Sequence, residues 1–440
     1  MNNLSAGSSE IIITPPIGAD MEGYSKRIAQ GVNDDIRATA VVLDNSSHKT
    51  AICSVDLCEL KKPLIESVRN RIAHKIGISP GAVIVAATHT HSGPSLDSDN
   101  IINQKWLLEF EDKLVKVVLD ANDNLRDAEI GSAIGEAEGI GGNRNDLQNG
   151  PIDHSVNLIK IVDAENKKII AVVINYSCHA TTLDLHNKLI TADYPGFARE
   201  YIVKFFKGIK VLFLNGACGD INPGGYSAED SAMGIPIPNR TFERAIEIGE
   251  ILGKEALRLI KKTLTHRQVN IQTETRTVHM PLKKMKLPAE ADLKFIKAQK
   301  KLKALDLAEV SDKKEYYRCK IEAIYAEYEK KQAKTFFYAY SNRIVPNEIQ
   351  GVAIGDSLLV GFPGEVFTEI GTSLKEYSSF KKTLAVSYAN DYAGYFPSRK
   401  ALKDNIGYEV KMCDYDETAI KHLEAEAKLL ADDLYKAIKR

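Results

Sequence analysis

The chain has 440 residues, of which 44% are hydrophobic, enough for a large buried core and longer than one average domain. Its 58 basic and 59 acidic side chains leave a formal charge of -1, which excludes the strong positive field of a nucleic-acid binder and gives no pull toward an anionic surface. No apolar run approaches the roughly 20 residues a membrane span needs, and MNNLSAGSSEIIITPP lacks a basic segment followed by an apolar one.

The six cysteines are scattered without a CxxC pair. They read as reduced, mostly buried thiols of a cytoplasmic protein. From Ser9 to about Glu59 the chain reads as strands and turns: IIIT, ATAVVLD and TAICSVDL are apolar and β-branched. A helix follows over Lys62 to Lys75, with Leu64, Ile65, Val68 and Ile72 at helical spacing and Gly77 as its stop. The strand Val83 to Ala87 comes next, then an amphipathic helix from about Gln104 to Leu125. After Gly139, Gly141 and Gly142 come the strands VNLIKIVD and KKIIAVVINY, a helix near Phe197 to Phe206, and the strand KVLFLN. A Gly- and Pro-rich loop spans Ile221 to Asn239, and a helix covers Phe242 to Lys262.

Residues 288–334 differ in composition, being almost all Ala, Glu, Lys, Leu, Asp and Tyr. They predict a helical-hairpin insertion joined near Val310 to Asp312, with Ser311 capping the second helix. VAIGDSLLVGF and TLAVSYAND then read as two strands, and Glu417 to Ile438 as a C-terminal helix. The fold class is therefore α/β: a large mixed β-sheet core flanked by helices, with the active site at strand ends.

Polar residues of catalytic type follow five apolar strands. His89 and His91 follow AVIVAA, His179 follows IIAVVINYSC, and Asp220 and Asn222 follow KVLFLNG. Glu365 follows SLLVGFPG, and Tyr395 follows TLAVSYANDYAG. Open α/β sheets bind ligands at the carboxyl ends of their strands, so these ends can share one crevice. If the first strand runs on to Thr90, both imidazoles of ATHTHSGP project from one face, either as metal ligands or as polar groups closing the strand. Glu365 also suits a helix N-terminus, and Asp220 either a turn acceptor or a proton shuttle. Two imidazoles and a carboxylate make a three-ligand catalytic zinc set, suited to hydrolysis of an amide or ester. No HExxH, GxSxG or GxxxxGK[ST] pattern occurs. A binuclear metallohydrolase acting on another amide or ester, and a non-catalytic binding protein that retains the pocket, stay open on the residues alone.

Several stretches together resemble the neutral/alkaline non-lysosomal ceramidase family: ATHTHSGP, ITPPIG with Gly23-Tyr24 and Gly31, GGNRN, YSCHATTL with TADYPGFA, NGACGDINP, FPGE, and DYAGYFPSRKALKDNIGYE. The resemblance implies one ceramidase-like catalytic domain over residues 1–440 without a C-terminal immunoglobulin-like domain. It implies one zinc ion per chain held by His89, His179, Glu365 and Tyr395, the tyrosine needing the metal's charge to lose its proton. It assigns His91, Arg144 and Tyr408 to the substrate amide and its developing oxyanion. From the residues alone, Arg144 after Gly141-Gly142 would be a turn residue. Asn222 stands where the family has a serine, and an amide cannot form an acyl-enzyme. The implied reaction is zinc-dependent cleavage of the N-acyl amide of ceramide or a related N-acyl compound. The implied partners are a small-molecule or lipid substrate, and neither nucleic acid nor a transmembrane segment.

Overall fold

Most central strands are apolar on both faces, and the architecture gives each face something to cover. The computed structural model describes residues 3–305, 313–337, 339–340, 343–405 and 407–439. An eight-stranded sheet runs in the order Lys210–Asn215, Ile169–Tyr176, Ser155–Asp163, Arg126–Glu136, Leu4–Ile12, Arg37–Asp44, Lys49–Val55, Val83–Ala87. A four-stranded sheet runs Ile271–Pro281, Ile344–Ile354, Ser357–Gly361, Lys382–Val386. The two sheets pack face to face. Val41, Ile52, Ile84, Ala86 and Val173 of the larger sheet share a core with Val352, Leu359, Leu384 and Val386 of the smaller.

Alternate residues point the other way, as the two-residue period of a strand requires. Val42, Cys53, Val85 and Val172 pack against the helices Lys62–Ile76, Ile101–Asp123, Asp193–Val203 and Phe242–Lys262. On the smaller sheet, Val278, Ala353, Leu358 and Ala385 pack against Thr368–Tyr377 and Glu417–Lys439. The result is four layers, helix–sheet–sheet–helix. Each fully buried Val, Leu or Ile in them contributes about 1.5–3 kcal/mol. All six cysteines are buried and unpaired.

The mixed α/β class agrees with the sequence, but the core holds two stacked sheets, so the crevice lies where both end. Three parallel pairs stop together: Val55 beside Ala87, Tyr176 beside Asn215, and Gly361 beside Val386.

Other differences have local causes. VAIGDSLLVGF is a hairpin in place of one strand, turning at Gly355, whose φ of 58° is easy for glycine. TLAVSYAND leaves the strand at Val386, because Tyr388 and Asn390 take left-handed conformations. The helix expected near Phe197 starts earlier, at Asp193. The loop after Ile221 holds a short strand, Ile221–Pro223, and the helix Ala228–Met233. The strands Arg126–Glu136 and Ile271–Pro281 escape sequence reading because polar residues and glycines dilute their apolar pattern. The insertion is the expected pair of helices, Pro288–Lys303 and Lys313–Phe336. Its junction, with Ser311, lies outside the described residues. Among the described residues no helix is long and apolar enough to cross a membrane.

Candidate metal centre

His89 does not continue its strand. The strand ends at Ala87, and His89 has φ 65°, a left-handed conformation rare for residues other than glycine. The two imidazoles of ATHTHSGP therefore meet through a turn, in place of the shared strand face expected, with their Nε2 atoms 3.1 Å apart. Tyr388, also left-handed, stacks on the His89 ring at 4.0 Å between centroids and 9° between planes. Such clustered outliers persist where the surroundings over-determine them. Here Ala87 N–H donates to Tyr388 O, and Val85 N–H to the Asn390 side chain, tying the ends of the two sheets together.

The donor set follows from what holds each ring. His89 Nδ1 lies 2.6 Å from Cys58 O, and His179 Nδ1 lies 2.8 Å from Cys218 O and 2.9 Å from Ile221 O. A carbonyl only accepts, so both Nδ1 atoms carry the proton and both Nε2 atoms present lone pairs. Those lone pairs face one carboxylate oxygen, Glu365 Oε2, at 2.8 Å from His179 and 3.8 Å from His89. The three residues are 1–2% exposed. Burial pushes the His89 imidazole down to about 4 and holds His179 well below its ordinary value, so both stay neutral at pH 7. Three electron-pair donors within 4.8 Å of one another, with no donor hydrogen between them, suit a cation.

A second grouping, Cys58, His89 and His91, shares His89. It fits less well, since the His89 nitrogen nearest Cys58 Sγ is spent on Cys58 O and burial pushes the thiol well up.

Around these ligands stand groups from later in the chain. Tyr395 neighbours Glu365 through a short parallel bridge, and its hydroxyl lies 3.2 Å from Arg144 Nη2. Arg144 also donates to Gly219 O at 2.7 Å and pairs through Nε with buried Glu409. His91 packs against Gly23, whose φ is 94° and where any Cβ would sit 2.4 Å from the His91 ring. Asp220 and Asn222 sit differently. Asp220 accepts from Thr368 N at 2.8 Å, Thr368 Oγ1 at 2.9 Å and Asn143 Nδ2 at 2.9 Å. Asn222 is closed on the backbone of Tyr226. Neither lines the cavity above the donor set.

That cavity, about 530 Å³, is walled by His89, His91, Glu365, Tyr395 and Tyr408, and by Tyr328 and Phe336 of the helical insertion. Sequence reading missed three residues with direct roles in this geometry. Tyr392 donates to Glu365 Oε1 at 2.6 Å, Tyr388 stacks on His89, and Glu409 holds Arg144. Tyr392 and Glu409 lie in the DYAGYFPSRKALKDNIGYE segment and Tyr388 in the expected strand before it, and nothing in their local pattern separates them from structural residues.

The profile of the neutral/alkaline non-lysosomal ceramidases, N-terminal part, matches residues 5–224. The chain belongs to the neutral/alkaline non-lysosomal ceramidase family. Neutral ceramidase from Pseudomonas aeruginosa is 25% identical over 278 residues, 53% of this chain and 41% of that one. Neutral ceramidase from Drosophila melanogaster is 24% identical over 245 residues, 48% of this chain and 35% of that one. The match thus spans less than half the length of these curated relatives. The crystal structure of the Pseudomonas aeruginosa ceramidase superposes with a TM-score of 0.74 at 21% identity, over 100% of this chain and 75% of that one. A ceramidase complexed with C2 gives 0.73 at 19% identity, over 100% and 76%. At these identities the superpositions establish the ceramidase fold. His89, His91, Arg144 and His179 fall inside the family match, whereas Glu365, Tyr395 and Tyr408 lie beyond it and join them only through the fold.

Proposed function

We propose that this ceramidase-family chain is a zinc-dependent hydrolase that cleaves the N-acyl amide of ceramide or a related N-acyl compound. The observation that carries the reading is the convergence of the His89 and His179 lone pairs on Glu365 at the floor of a cavity. Those three residues and Tyr395 would hold one zinc ion. When bound, zinc supplies Lewis acidity and lowers the pKa of water toward ~7. Tyr395 fits as the fourth ligand only in a cation's presence, because burial and the nearby Glu365 charge hold its phenol well above its ordinary range. Arg144, anchored by Glu409, presents a fixed positive charge beside the Tyr395 hydroxyl for the developing oxyanion. His91 and Tyr408 line the cavity and orient the amide. Asp220 and Asn222 act as positioning residues: Asp220 ties the Gly219 turn to Thr368, three residues past Glu365.

The test is hydrolysis of a panel of N-acyl amides and esters by metal-stripped and zinc-restored protein, with the metal counted. Zinc-restored protein should cleave amides with one zinc per chain, and the stripped protein should not. No cleavage by either form, or two metals per chain, would overturn the reading.

A further inference from the structure

The site opens into two spaces. Beside the 530 Å³ cavity lies a second of about 320 Å³, and the two share Gly23, Tyr24, His91, Tyr395 and Tyr408. An N-acyl substrate likewise has two unlike halves meeting at the amide. On the proposed function, we infer that the smaller cavity is the acyl pocket and that Ile324 and Leu185 close it, setting the longest acyl chain the protein accepts.

The wall chemistry separates the two spaces. In the smaller one, Leu185, Ala228, Ala232 and Ile324 supply carbon. Most of its polar side chains are spent on protein partners: Tyr226 Oη donates to Thr181 O at 2.7 Å, with Thr181 Oγ1 3.1 Å away, Ser231 Oγ accepts from Arg240 at 2.8 Å, and Arg144 is held by Glu409 and Gly219 O, while Glu327 is exposed to solvent. A methylene chain entering there strips water from few groups that need it. The larger cavity has one flank of Glu22, Glu59, Asp97 and Asp391, with Lys61 bridging Glu59 and Asp97. Laying a hydrocarbon there desolvates charge, which is costly. An amine carrying hydroxyls or a positive charge is matched to it. Apolar side chains also line that cavity, at Phe336, Tyr340, Val345, Pro346 and Met412, together with Lys331 and Asp414.

The insertion builds the partition. Its second helix gives Ile324 to the smaller space and, one turn later, Tyr328 to the larger. It is held against the neighbouring helix Ala228–Met233 by Lys320 on Met233 O and by Tyr325 on Glu229. Ile324 is itself none of the residues assigned to metal or oxyanion, so its size can change without removing any of them.

The experiment measures binding of straight-chain alkanoates, from acetate to palmitate, to the zinc-loaded full chain, in parallel with turnover of the matching N-acyl amides. Affinity should rise about fourfold per methylene, from ~0.8 kcal/mol per buried CH₂, and then level off short of palmitate. Ile324→Trp and Leu185→Trp should each move the break to shorter chains, and Ile324→Ala to longer ones. Acetate affinity should change less than about twofold. Phe336→Ala should leave the break in place. A break that ignores both Ile324 variants, or one that follows Phe336→Ala, overturns the inference. So does alkanoate binding without chain-length dependence. If the break behaves as expected but no amide is cleaved, the acyl pocket stands and the hydrolase reading fails.

Discussion

The two sheets bring unlike halves to the candidate metal centre. The larger sheet delivers His89 and His179, each oriented by backbone carbonyls. The smaller sheet delivers Glu365 and Tyr395, oriented largely by side chains: Tyr392 on one Glu365 oxygen, Tyr388 3.4 Å from the other, and Arg144 on the Tyr395 hydroxyl. A carbonyl cannot be deleted by a point substitution, so the hydrogen bonds that orient the imidazole half cannot be removed from behind. The carboxylate half can be loosened from behind, one hydroxyl at a time.

That contrast is broken most severely at a ligand. His179→Ala should remove zinc outright, with affinity falling by more than the 10–100-fold typical of losing an outer partner, as metal analysis after dialysis would show. His89→Ala should do the same, whereas His91→Ala should keep zinc and lose turnover. Equal zinc loss in the two histidine variants would erase the division of roles and favour the Cys58–His89–His91 grouping. Next in size, Arg144→Lys should retain zinc but lower kcat by about 10²–10³, because a point charge replaces a fork anchored on Glu409, Gly219 O and Tyr395. An unchanged kcat would remove Arg144 from the chemistry. A smaller effect separates the halves directly. Tyr392→Phe should weaken zinc binding about 10–100-fold without unfolding the protein, by freeing Glu365 Oε1. If zinc affinity is unmoved, the carboxylate does not depend on its outer partner.

Legibility in the sequence follows the same division. His89, His179 and Glu365 were readable because each ends an apolar strand, and strand ends were expected to meet. Their meeting across two stacked sheets was not readable, because a strand apolar on both faces looks the same under a helix or under another sheet. The left-handed turn at His89 was hidden as well, since only glycine advertises positive φ in a sequence and the burden here falls on His, Tyr and Asn. Arg144 became readable only through its family resemblance. Its geometric reason, Glu409, lies 265 residues away, beyond any local pattern. The insertion's helices were plain from composition, but their place on the cavity wall rests on side-chain contacts such as Tyr328 to Asp414 at 2.6 Å.

The smallest effect tests whether Asp220 belongs to the scaffold or to the chemistry. Burial raises its carboxyl to about 6, against the lowering pull of the Thr368 hydrogen bonds. Between about 4 and 6 the folded protein therefore holds a proton that the unfolded chain has released. This group's contribution is present below about 4 and is lost as pH rises through about 6, an effect on the order of 3 kcal/mol at most. Asp220→Asn has no such proton. The stability difference between variant and wild type, from urea midpoints at pH 4 and pH 7, should shift toward the variant as pH rises. Its kcat with zinc bound should stay within about tenfold of wild type, because Asp220 faces Thr368 and Asn143 and not the cavity. A pH-independent difference would show that the three hydrogen bonds offset burial. A loss of kcat beyond about 10², at unchanged zinc content, would instead make Asp220 a proton carrier, within the range removal of a general acid or base produces.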